Sequence, residues 1–286
     1  MTRFDRIAVV DWSAASAPPR PTPKADAIWI GLADCTGVTT TYHPSRHLAE
    51  QAIVALIAQT RQAGESLLIG VDFALGYPTG FAPRLTGQAH AAAVWRWLAG
   101  QITDSPANLN NRFAVADAIN RAFGGQGPFW GHPQSQSFAN LSPRKMVDYP
   151  ALGLAERRQV EQVVPRAQPV WKLFTTGSVG GQSLMGLPMI HRLATQHGAS
   201  VWPFDAPSAV TVAEVYPSLL APAVTAALGP ASIKDEVQVR LLAQALHRLG
   251  QSGDLAGLLA EAPAAVRDEE GWILGATAAA ALLAAL

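Results

Sequence analysis

The chain has 286 residues, 49% of them hydrophobic and 15% charged, with Lys plus Arg equal to Asp plus Glu at 21 each. That composition excludes a disordered chain, provides for a substantial core and leaves apolar surface for a homo-oligomeric interface. With no net charge there is no global field to draw in nucleic acid or an anionic membrane, so any nucleic-acid contact must be local.

One cysteine, Cys35, excludes an internal disulfide, and no Cys/His spacing suits zinc. A reducing, cytoplasmic setting without membrane association is expected. The apolar run between Arg6 and Asp11 is too short for a signal-peptide core, and the Ala/Leu-rich stretch 276–286 reads as a buried terminal helix.

Taken in chain order, residues 7–12, 27–32 and 38–42 are β-prone runs separated by Pro18, Pro19, Pro21 and Pro23 and then by Asp34 and Gly37, which predicts a three-stranded meander. Ala49, Ile53, Leu56 and Ile57 recur at helical spacing within 47–61, and Gly64 stands where a C-terminal cap belongs. Residues 66–73 return to a nearly continuous apolar run, the pattern of a strand covered on both faces. The order is β-β-β-α-β. From 76 to 200 Pro and Gly punctuate short helical stretches such as 88–98 and 112–123, so this part reads as a large, mainly helical insertion or cap. A strand at 208–216 and helices at 234–249 and 273–286 follow. The chain is therefore expected to be one α/β domain over 1–286.

Acidic residues stand at the ends of these elements: Asp11 closes the first strand, Asp72 the fourth, Glu214 the strand after the insertion, and Asp235 opens the next helix. Strand ends of open α/β sheets are where distant side chains converge and where ligands bind. Carboxylates brought together repel unless a cation, a proton or a basic residue compensates, and a hard divalent ion such as Mg²⁺ does so through oxygen ligands. Each residue also has a plain structural role open to it, Asp235 at the positive end of its helix and Asp11 as the start of a turn.

The Asp within the first strand, the segment VDFALGYP, the segment EVYPS and the late helix opening with Lys234 and Asp235 resemble a family of predicted nucleases with a ribonuclease H-like fold, catalogued as a domain of unknown function. The resemblance implies a ribonuclease H-like mixed sheet and Mg²⁺ or Mn²⁺ bound by Asp11, Asp72 and Asp235, with Glu214 as a further catalytic carboxylate. The implied activity is metal-dependent phosphodiester hydrolysis, on nucleic acid or a phosphate-containing small molecule. The chain departs from the family at Gln238, where many members carry a second Asp; if the terminal helix is the matching one, Glu270 is the nearest acid.

Arg144, Lys145 and Lys172 lie in a basic stretch that offers a phosphate-facing surface or a solvated helix face. The Gly-rich segment containing Ser178 and Gln182 reads as a structural loop, with an anion-binding nest as the alternative. The substrate-binding candidates are thus Arg144, Lys145, Lys172, Ser178 and Gln182. Two other functions stay open: a phosphotransferase of the sugar kinase/ATPase type, although VVDWSAASAPP lacks that class's phosphate-loop glycines, and a non-catalytic metabolite- or partner-binding module.

Overall fold

The computed structural model describes residues 3–164, 166–175 and 177–286. Strands β1 (Arg6–Asp11), β2 (Ile28–Asp34) and β3 (Gly37–His43) form the expected antiparallel meander. Helix α1 (Arg46–Gln62) is capped by the Ser45 side chain, buries Ala49, Ile53 and Ile57 along one stripe, and crosses to β4 (Leu67–Val71), which runs parallel to β1. The described residues then give six helices and no strand of the sheet: α2 (Phe81–Thr86), α3 (Ala91–Gln101), α4 (Arg112–Ala122), α5 (Tyr149–Leu152), α6 (Gln159–Val163) and α7 (Val179–His197). Strands β5 (Ser200–Trp202) and β6 (Val210–Glu214) complete a mixed sheet of order β3-β2-β1-β4-β6-β5, with β6 parallel to both β4 and β5. Helices α8 (Ala221–Ala227), α9 (Lys234–Ser252), α10 (Leu255–Ala260) and α11 (Ala279–Ala284) follow. Among the described residues no helix is long and apolar enough to cross a membrane.

Alternation along the strands separates two cores. Ala8, Val10, Ile69 and Val71 face one layer with Ile53, Leu98 and Leu187; Ile7, Val9 and Leu68 face the other with Val239, Leu242 and Leu246 of α9. The α9 side packs closely because β2 carries Gly31, where a Cβ would stand 2.5 Å from the Val239 carbonyl oxygen.

Three expectations need correction. The segment read as a Gly-rich loop enters α7 at Val179, because its glycines serve close packing: a Cβ at Gly180 would lie 2.1 Å from the Val170 oxygen, and one at Gly186 would lie 2.2 Å from Phe73 Cζ. The short edge strand β5, unmarked in the sequence reading, begins at the last residue of the stretch assigned to the insertion. The terminal helix does not begin at 273; Ile273 instead bridges Glu214, Gly275 turns the chain with φ +77°, and only Ala279–Ala284 is helical.

Candidate active site

Register explains which carboxylates meet. Val10 pairs with Val71 across the parallel β1–β4 ladder, so the next residues, Asp11 and Asp72, emerge side by side. Both share the parity of Val9 and Leu68 and so lie on the α9 face. Their side chains face each other within hydrogen-bonding reach, deep among protein atoms yet partly open to a cleft of about 190 Å³. Trp12 donates its amide to Asp72 Oδ1 at 2.7 Å, and Gln182 Nε2 donates to the Trp12 carbonyl.

Burial first, then the neighbouring Asp72 and Asp235, push the Asp11 carboxyl well above the ordinary carboxylate range. Burial also raises Asp72, to about 7, while the Trp12 amide and Asp11 favour its ionised form. Both carboxyls are thus held toward the protonated form as a pair. Asp235, in the first turn of α9, is raised mainly by burial, and its Oδ2 accepts the Asp26 amide at 2.7 Å. No ion pair among the described residues includes any of the three.

Glu214 is different. It pairs in register with Val71, and with Val210 and Val212 its parity belongs to the opposite face from the aspartate pair. Glu214 helps wall the cleft, but its carboxylate is held bidentately by Arg158, with Nη1 to Oε2 at 2.7 Å and Nη2 to Oε1 at 2.6 Å, and also accepts the Leu75 amide. Arg158 further donates to Glu161 Oε1 at 2.8 Å and to the Glu270 carbonyl. Glu270 accepts from the Thr79 amide and hydroxyl and from the Gln159 amide, which is a tethering role.

The cleft is walled by Gln168, Gly177, Val179, Gln182, Tyr216, Ser218 and Gln238 besides Asp11, Asp72, Glu161, Glu214 and Arg158; Asp235 stands outside its wall. Of the substrate-binding candidates only Gln182 is among them. Ser178 lies beside the wall, where it starts α7 without a capping side-chain bond. Lys145 pairs with Glu156 at 2.6 Å, Arg144 lines no part of the cleft, and Lys172 sits in a bridge to Trp130 with its carbonyl accepting the Gly180 amide. Sequence reasoning missed Arg158 as the tie between Glu214 and Glu161; nothing in a mixed run of charges marks it out. It also gave no role to Gln238, although one helical turn beyond Asp235 is where a second cleft residue of α9 must fall.

Among the described residues no group of three His, Cys, Asp or Glu is arranged to hold a metal ion as it stands. The donor set nevertheless suits a hard divalent cation: two oxygen donors crowded together with no basic partner, and a third carboxylate whose Oδ1 engages no described residue. No protein-family model, curated protein or solved structure matches the chain. The site therefore rests on its own geometry.

Proposed function

We propose that the protein is a metal-dependent phosphodiester hydrolase on a ribonuclease H-like sheet, with Asp11, Asp72 and Asp235 as its working carboxylates. The observation that carries this reading is the adjacency of Asp11 and Asp72 without a basic partner, at the strand ends facing the first turn of α9. The meander followed by parallel β4 supports the ribonuclease H-like reading of the sheet.

Mg²⁺ or Mn²⁺ held by Asp11 and Asp72, with Asp235 closing the set, would supply Lewis acidity to a water and to the phosphoryl oxygens. The chain does the rest. The Trp12 amide keeps Asp72 oriented, and the N-terminal end of α7, which reaches the cleft at Val179 and Gln182, favours the substrate's negative charge. The water oxygen bonds to phosphorus, the ester P–O bond opposite it breaks, the water's proton passes to solvent and the leaving oxygen is protonated from solvent.

One observation favours a second reading: the pair as it stands shares a proton, which suits a metal-free acid–base dyad. Hydrolysis of bis(4-nitrophenyl) phosphate in Mn²⁺ and in EDTA separates the two. The metal reading requires turnover with Mn²⁺, none in EDTA, and loss of at least a hundredfold in Asp72→Asn; turnover that survives EDTA supports the dyad.

A further inference from the structure

Accepting the hydrolase reading, we infer that its substrate is a small phosphodiester presenting a single phosphate, and that the site does not work along a polymer. Three observations converge on this.

The cleft, at about 190 Å³, is smaller than the ~300–1,000 Å³ of ordinary small-molecule sites. It is also bounded on several sides, by Gly177, Val179 and Gln182 around the start of α7, by Val215 to Ser218 after β6, and by Gln238 of α9. A space of that size takes one phosphate and the nearer part of a flanking group, and gives no room for the successive phosphates of a strand.

Charge points the same way. Among the described residues the wall holds four carboxylates, Asp11, Asp72, Glu161 and Glu214, against one cation, Arg158. Arg158 is 1% exposed, and its Nε, Nη1 and Nη2 all donate to Glu161, Glu214 or the Glu270 carbonyl. Nearby, Arg157 Nη1 donates to the Glu161 and Ala167 carbonyls, and Lys145 pairs with Glu156. A polymer site needs cations spaced along the backbone; here one phosphate can be served, by the α7 terminus.

The remaining wall groups are neutral. Gln168, Gln182, Gln238 and Ser218 present amide and hydroxyl groups, and Gln238 makes no side-chain hydrogen bond to any described residue. Such groups recognise the hydroxyls of a sugar or the edge of a base.

The test uses the full chain with Mn²⁺ and three substrates: a dinucleoside monophosphate, a 20-residue single strand and a 20-base-pair duplex. Expected are a kcat/KM per phosphodiester at least tenfold higher on the dinucleotide, and a slope of log KM against log salt no steeper than about +1, as for one phosphate contact. In Gln238→Leu, KM for the dinucleotide should rise at least threefold while Mn²⁺ still raises the melting temperature as in wild type. Internal cleavage of either polymer at an equal or greater rate, or a slope of log KM against log salt of about +3 or steeper, overturns the small-substrate inference and leaves the hydrolase reading standing. No hydrolysis of any substrate, together with a melting temperature indifferent to Mn²⁺, overturns both.

Discussion

The amide of Trp12 donates to Asp72 Oδ1 at 2.7 Å, fastening the residue just beyond β1 to the carboxylate just beyond β4. Because Asp11 precedes Trp12, this bond also fixes the separation of the two acids, and Gln182 steadies the next peptide from α7. The crowding of the pair is therefore built into the backbone and does not depend on flexible side chains.

Relieving that crowding should stabilise the protein. In EDTA, Asp11→Asn should be more stable than wild type by about 0.5–2 kcal/mol, the range common for removal of an unfavourable functional-site contact. The same change should abolish stabilisation by Mn²⁺, which in wild type at a hundred times its dissociation constant amounts to about 2.7 kcal/mol. Thermal melts of both proteins with and without Mn²⁺ measure each quantity; a destabilised Asp11→Asn would show that Asp11 is a structural turn residue.

The pair should also give stability a characteristic pH dependence. Both carboxyls are raised in the fold, Asp72 from 3.8 to about 7 and Asp11 well above its ordinary value. Between the unfolded and folded values the native state holds protons that the unfolded chain has released, so the pair's contribution falls as pH rises through that window. Asp5 and Asp34, lowered chiefly by hydrogen bonds from Ser66 and Thr36, work in the opposite direction. The informative quantity is thus the difference between wild type and an Asp11→Asn, Asp72→Asn double variant. Urea midpoints in EDTA should show wild type losing ground to the variant from pH 4 to pH 8.

Glu214 should behave as a structural residue. Glu214→Gln keeps the volume but leaves the buried Arg158 with only Glu161 as its ionised partner, so unfolding free energy should drop by about 3–5 kcal/mol. Equilibrium urea denaturation reads this directly. A stable Glu214→Gln that has lost Mn²⁺ binding would instead place Glu214 among the metal's ligands.

In α7, Gly186→Ala puts a methyl 2.2 Å from the Phe73 ring, and the ring cannot yield without disturbing its contact with Trp12. A loss of about 1–3 kcal/mol is expected, the usual cost of overpacking. Gly257→Ala in α10 meets no atom within 4 Å and serves as the control.

Sequence made the sheet's first five elements readable because each obeys a single local rule: alternating or continuous apolar runs for the strands, a stripe of Ala49, Ile53 and Ile57 for α1. It also brought Asp11 and Asp72 forward, since an acid at the end of an apolar run is conspicuous, and Asp235 as the acid that opens the late helix. Register was out of reach. That Asp11 stands beside Asp72, while Glu214 stands beside Val71 and faces the other way, turns on a one-residue offset between ladders that no composition encodes. Helix α7 was hidden for a related reason: Gly180, Gly181, Gly186 and Pro188 weaken helix propensity locally, and only the close approach of Val170, Leu173 and Phe73 shows why small residues are required there.

The anchoring by Glu269 and Glu270 bears on the order in which the chain can fold. Glu269 accepts from the amides of Gly80 and Ala82, Glu270 ties Thr79 to Gln159, and the Glu270 carbonyl holds Arg158. Leu274 meanwhile donates its amide to the Glu214 carbonyl. A nascent chain that has emerged only as far as α9 contains every strand and all three candidate aspartates. It still lacks the acceptors for the start of α2 and one partner of Arg158 in the cleft wall. During synthesis the site's outer wall must therefore wait for residues 269–274, and loop-closure entropy across nearly two hundred intervening residues is met late.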